Sequence, residues 1–182
     1  MLNDIYKNEI INAWVEDNEP VDLIEKRYKN ISNIVDGMYD FVLSFSYYYT
    51  VRRDYGTGKK YTMIEMHILT DIYDNENITV SALAKKWNRT SSAISQIVHR
   101  LIKWGLVYKE VNEADGKVFF LHTTEKAKKT VLSHKAYDNR DNVKTRKKLL
   151  ETFTVDEMVT FDKILKAYTD ILEKNNSKNK PL

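Results

Sequence analysis

Apolar positions recur at helical spacing along most of the chain. Ile5, Ile10, Ile11, Trp14 and Val15 predict a short helix over Asn3–Asp17, which stops before Pro20. From Val21 to Tyr55, Leu23, Ile24, Tyr28, Ile31, Ile34, Val35, Met38, Phe41, Val42 and Phe45 predict one long helical region. Gly56 and Gly58 punctuate its end. Met63, Met66, Ile68, Leu69 and Ile72 then predict a buried helix over Thr62–Tyr73.

The segment after it changes character twice. Ser81–Trp87 reads as a short helix, with Ala84 on its packing side. Asn88 comes next, at a turn that suits a left-handed residue. Thr90 is placed to cap a second helix, Ser91–Trp104, whose Ile94, Ile97, Val98 and Leu101 form one apolar stripe. Gly105 suits a C-terminal cap. Beyond it the period drops to two. Leu106–Val111 and Lys117–Thr123 are β-prone runs around Asn-Glu-Ala-Asp-Gly, which predicts a hairpin. Two short helices and then a hairpin make a winged helix-turn-helix. Helical spacing resumes at Thr124 through Ala127, Val131 and Leu132. A last helix begins with a capping box, Thr154 and Glu157, flanked by Phe153 and Met158 at hydrophobic-staple positions. Phe161, Ile164, Leu165, Tyr168, Ile171 and Leu172 line its apolar face, and Asn175–Leu182 reads as a frayed end.

Composition narrows the function. The chain of 182 residues has no cysteine, which removes disulfides, thiol nucleophiles and thiolate metal sites. Its longest uncharged run, Phe41–Val51, is too short to cross a membrane, and the N-terminus lacks a signal-peptide pattern; a soluble cytoplasmic protein is expected. No Ser/His/Asp spacing, glycine-rich phosphate loop or metal motif suggests an enzyme. The net charge is only +3, but it is unevenly spread. Residues 1–40 hold nine acids against four bases, whereas Asn77–Lys109 contains no acid and six cations: Lys85, Lys86, Arg89, Arg100, Lys103 and Lys109. A cation-only window over a helix-turn-helix is a candidate polyanion surface.

The segment from Thr62 to Lys129 resembles the MarR family of bacterial transcriptional regulators. The resemblance rests on Ile78-Thr79-Val80-Ser81-Ala82-Leu83-Ala84, Ser95, Arg100-Leu101, Gly105-Leu106-Val107, Leu121 and Thr124-Glu125-Lys126. It implies a mainly α fold with a small β-hairpin, in which a winged helix-turn-helix is flanked by N- and C-terminal dimerisation helices. The expected divisions are an N-terminal helical extension (1–30), a dimerisation helix (31–60), the DNA-binding domain (61–123), C-terminal dimerisation helices (124–175) and a disordered tail (176–182). Phe161, Leu165, Tyr168 and Leu172 are the candidate dimerisation residues. The resemblance also implies a homodimeric repressor whose affinity for duplex DNA is tuned by a small-molecule effector. Three positions depart from the family pattern. The wing carries Asp115-Gly116-Lys117 in place of Asp-x-Arg, which keeps a charge but loses the planar fork of arginine. Ala127 stands where glycine is usual, and Ile102 and Trp104 stand where polar residues are usual.

Chemistry assigns the roles. Thr90, Ser91 and Ser92 at the helix N-terminus suit phosphates; Ser95, Gln96 and His99 suit base edges; Arg100 suits guanine or phosphate. Lys103 adds charge on the same face, and Lys117 would enter the adjacent minor groove. Asp115 is expected to fix the wing turn. Two subunits would read half-sites about 34 Å apart. About four phosphates per subunit would give a salt slope near −7. The alternatives are a helical interaction module with a basic surface, and a metal-responsive regulator. No metal ligand or cofactor is assigned: His67, His99, His122 and His134 form no i, i+4 pair, and His67 on an apolar helix reads as a packing residue. A zinc sensor would need ligands converging from separate elements. Tyr47, Tyr48 and Tyr49, with Phe41 and Phe45, read mostly as core, with a ligand-lining role as the alternative.

Overall fold

The computed structural model describes residues 7, 8, 12–14, 16, 18–113 and 115–178, the side chains of 33, 34, 177 and 178 excepted. The helix expected over Asn3–Asp17 lies largely outside these residues. Helix α1 (Val21–Thr50) starts after Pro20, whose fixed φ leads the chain into a first turn containing Asp22. It crosses residue 30 without a break, so the expected division at 30 falls inside one helix. It also ends five residues earlier than expected. The reason is a small antiparallel hairpin, β1 (Arg53–Asp54) and β2 (Lys60–Tyr61), paired Arg53 to Tyr61 and Asp54 to Lys60. The Asp54 carboxylate accepts from the amides of Gly56, Thr57 and Gly58, and both glycines hold positive φ. These glycines therefore build a tight turn and do more than stop a helix.

Helix α2 (Met63–Asp74) starts with a capping box between Thr62 and Glu65. Helix α3 (Val80–Lys86) is capped by Thr79, and α4 (Ser91–Lys103) by Thr90, whose hydroxyl accepts from the Ala93 amide at 3.2 Å. Asn88 between them has φ +47° and Gly105 has φ +70°, as the turn chemistry requires. Strands β3 (Val107–Asn112) and β4 (Asp115–Thr123) form the wing, in register from Val107–Thr123 to Val111–Phe119 and then slipped at the tip. The Leu121 amide donates to the Ile78 carbonyl, tying the wing to the segment just before α3. Helix α5 (Glu125–Leu149) is capped by Thr124, and α6 (Val155–Lys178) by the expected Thr154–Glu157 box. α6 stays helical through Lys178, beyond the expected start of the tail. No described helix is long and apolar enough to cross a membrane.

One core lies between α2, α3, α4, the base of the wing and the first half of α5. It contains Met66, Ile68, Leu69, Leu83, Ile94, Leu101, Leu106, Leu121 and Val131, closed on one side by Tyr55 and Tyr61 of the small hairpin. Trp104 stacks edge-on against Tyr61 at 5.3 Å with Lys59 Nζ 4.2 Å above its ring, which accounts for tryptophan at a usually polar position. α1 and α6 stand apart from this core. Phe41, Phe45 and Tyr47 are exposed and stay out of the core, while Tyr48 and Tyr49 are half-buried. On α6, Phe161, Leu165, Tyr168 and Leu172 are each 38–49% exposed, and Met158 is the one described side chain that is buried.

Candidate nucleic-acid interface and the histidine cluster behind it

The stripe of α4 decides which side chains face outward. With Ile94, Ile97, Val98 and Leu101 in the core, Ser91, Ser92, Ser95, Gln96, His99 and Lys103 are left exposed, as is Thr90 at the cap. Ser91 then shares a cleft of about 280 Å³ with Thr79, Ser81, Lys109, Lys117 and Phe119. Hydroxyls from the two helix starts and two wing lysines thus converge at the mouth of the helix-turn-helix. Ser91 and Lys117 are expected there from the sequence, whereas Thr79, Ser81 and Lys109 join them only through the fold. At the wing tip the Asp115 carboxylate accepts from the Lys117 amide at 3.0 Å, an Asx turn that leaves Lys117 exposed.

Arg100 differs from its neighbours. Its Nε donates to Glu65 Oε1 at 2.8 Å, and Arg52 Nη2 reaches the same oxygen at 3.1 Å. The other oxygen, Oε2, accepts from the Thr62 amide at 3.0 Å. Glu65 is 0% exposed. Burial alone would raise its carboxyl pKa, but the hydrogen bonds from Thr62 and Arg100 and the charge of Arg52 hold it below the ordinary value. The guanidinium of Arg100 is therefore pinned at one edge to α2, and only its remaining edge can face a phosphate or a base. The sequence gives no sign of this role for Glu65, because an acid at the start of an apolar helix reads as a helix cap.

A second cluster lies on the far side of α2. His67 of α2 meets His134 and Asp138 of α5: His134 Nε2 is 3.2 Å and His67 Nε2 3.7 Å from Asp138 Oδ2. One ligand atom from each residue lies within 4.8 Å of the others. His134 is 1% exposed, its Nδ1 is 3.2 Å from the Thr70 hydroxyl, and its Nε2 is buried with no hydrogen-bond partner. Burial, with the nearby His67 and Lys135, lowers its pKa to about 4. In the tautomer whose Nδ1–H donates to the Thr70 hydroxyl, the neutral imidazole presents a lone pair at Nε2, the arrangement of a metal-ligating histidine. A tetrahedral site with metal–ligand bonds of about 2.0–2.1 Å has ligand–ligand edges of about 3.4 Å, close to the 3.2 and 3.7 Å separations from Asp138. His67 is thus more than the packing residue expected from its helix, and the expectation of no metal ligand set meets a candidate one. The sequence signal is His134 and Asp138 at i, i+4, a pairing that a search for histidine pairs alone passes over.

Two crossed helices with a β-ribbon behind them, presenting one polar helix face, define a winged helix-turn-helix. Residues 61–119 match the model of the MarR family. The chain is 30% identical over 87 residues to an uncharacterized HTH-type transcriptional regulator, YhjH of Bacillus subtilis, an alignment that covers 48% of this chain and 50% of that protein. The chain thus spans about half the length of that relative. Among solved structures, the zinc-responsive MarR family member ZitR of Lactococcus lactis superposes with a TM-score of 0.61 at 19% identity, covering 78% of this chain and 99% of ZitR. FabT of Streptococcus pneumoniae, solved in complex with DNA, gives 0.59 at 22% identity, covering 81% and 98%. At these identities the likeness is one of fold.

Proposed function

We propose that this protein is a sequence-specific DNA-binding transcriptional regulator, a homodimeric repressor acting on an inverted-repeat operator. The observation that carries the reading is the outward face of α4, where Ser95, Gln96 and His99 stand clear of the core beside a cleft lined by Lys109 and Lys117. Long polar side chains on a helix that fits the major groove read base edges, while the flanking lysines and hydroxyls position the duplex. Selection from random duplex DNA at physiological ionic strength is expected to enrich an inverted repeat with half-sites about 34 Å apart. Gln96→Ala with His99→Ala should flatten that preference while leaving non-specific, salt-sensitive binding in place. These positions make a cleaner test than Arg100, whose removal would also strip a partner from buried Glu65. Enrichment unchanged in the double variant would sink the assignment of the reading helix.

The dimer is supported by the uncovered apolar faces of α1 and α6, since a contiguous exposed apolar face marks an interaction surface. Leu165→Arg with Leu172→Arg is expected to convert a sedimenting dimer to a monomer at micromolar concentration. An unchanged sedimentation coefficient would place the interface elsewhere.

A second reading concerns the effector. The cluster of His67, His134 and Asp138 joins α2 to α5, and it supports a divalent first-row cation as the ligand that tunes DNA affinity. Two imidazoles and a carboxylate suit zinc or manganese, and no thiolate is present to favour softer ions. ZitR, described as zinc-responsive, has the same fold.

A further inference from the structure

We propose that Trp87 is the positioning residue through which the histidine cluster acts on the reading helix, so that a cation bound there resets the turn between α3 and α4. The proposal rests on the cation reading of the cluster and names its route of regulation. His67 faces two ways. Its ring stands 4.9 Å from the His134 ring in an edge-on contact, and 5.9 Å from the Trp87 ring at a tilt of 46°. Trp87 caps the C-terminus of α3, the first helix of the pair. Its indole Nε1 donates to Asp71 Oδ2 at 2.8 Å, and Lys86 donates to the other oxygen of the same carboxylate at 2.6 Å. Asp71 lies one turn beyond His67 on α2. The end of α3 is therefore docked on α2 at one place, and His67 forms part of the dock.

The dock matters because the chain beyond Trp87 is short and constrained. Asn88 turns it at φ +47°, the Arg89 amide returns to the Ala84 carbonyl at 3.0 Å, and Thr90 caps α4 immediately after. Only Asn88, Arg89 and Thr90 separate the indole from the reading helix, and a left-handed residue among them leaves few backbone alternatives. A cation held at bonds of about 2.0–2.1 Å closes the 3.7 Å gap between His67 and Asp138 by a few tenths of an ångström. That closure draws the His67 ring toward α5 and away from Trp87. The indole is held at its other edge by Asp71, so it rotates about that hydrogen bond and carries the Asn88 turn with it.

The test uses the full chain in three measurements. Calorimetric titration with Zn²⁺, and separately with Mn²⁺, reads occupancy in the wild type, in His67→Ala and in Trp87→Phe. Fluorine NMR on protein labelled with 5-fluorotryptophan reads the indole directly, the Trp87 resonance being assigned by its loss in Trp87→Phe. DNA affinity for the selected site, with and without the cation, reads the coupling. The expected result is one cation per subunit, lost in His67→Ala, and a Trp87 resonance that shifts while those of Trp14 and Trp104 stay. DNA affinity should change about tenfold on cation binding. In Trp87→Phe, cation affinity should stay within about twofold of wild type while that change falls below about threefold.

Absence of cation binding in the wild type overturns the cation reading and the coupling with it. A bound cation with an unmoved Trp87 resonance, or a Trp87→Phe variant that keeps the full change in DNA affinity, overturns the coupling and leaves the site standing. The resonance is measured without DNA, and Trp14→Phe and Trp104→Phe assign it by elimination among the three tryptophans, so it decides the matter even if Trp87→Phe fails to fold.

Discussion

Glu65→Ala is expected to lower the unfolding free energy by about 3 kcal/mol, read from urea unfolding at pH 7, and to weaken DNA binding in the fraction that stays folded. The carboxylate is fully buried and serves three groups at once: the amide of Thr62, the guanidinium of Arg100 and that of Arg52. Hydrogen bonds to a charged group contribute about 1.5–3 kcal/mol, and a helix cap adds about 1 kcal/mol. Severing a buried ion pair costs about 3–5 kcal/mol when the surviving charge stays buried. Here both arginines keep 40% or more of their side chains in water, so they relax outward and the cost sits at the lower end. The pH dependence has a definite sign. The folded-state pKa of Glu65 is depressed, so its contribution is complete above the unfolded value and fades as pH falls through the folded one. A variant as stable as wild type at pH 7 would mean that the two arginines find equivalent partners elsewhere.

The second large effect comes from His134. Its folded pKa of about 4 lies below the ordinary 6.5, so the unfolded chain takes up a proton in that interval and the folded chain does not. Stability from this group is complete above about pH 6.5 and drains away as pH drops toward 4, by about 3 kcal/mol in all. Comparing wild type with His134→Asn at pH 7 and pH 4.5 isolates the effect from other carboxylates. The wild type should lose about 2–3 kcal/mol more than the variant over that step. Parallel losses in both proteins would show that the imidazole is protonated in the folded state. The same proton competes with any cation for Nε2, so occupancy of the cluster should weaken over the same range.

The helix-turn-helix and its wing are legible in the sequence because each signal is local. Thr90, Asn88 and Gly105 fix caps and turns within a few residues of themselves, and the α4 stripe needs only the period of one helix. The small hairpin around Gly56 is not legible: two-residue strands carry no alternation, and its stability comes from Tyr55 and Tyr61 packing into a distant core. The Thr62–Glu65 box is as readable as the Thr154–Glu157 box, but an acid that also holds two arginines from elsewhere cannot be told from a cap. The histidine cluster depends on pairing His67 with residues some 70 positions away, which only the packing of α2 on α5 decides. The aromatic run of α1 misleads for the opposite reason. Its composition suits a core, yet among the described residues Phe41, Phe45 and Tyr47 remain exposed.

Helix α2 sets a limit on how this protein can be altered. Within two turns it directs Glu65 at the reading helix, His67 at α5 and Asp71 at the end of α3, while Met66, Ile68 and Leu69 fill the space between. Nearly every side of it is occupied, so a change made there for one purpose disturbs the others. His134 and Asp138 carry no such second duty toward the helix-turn-helix. If the cluster holds a cation as proposed, retuning its ion preference has freer play on α5, and α2 should drift the most slowly.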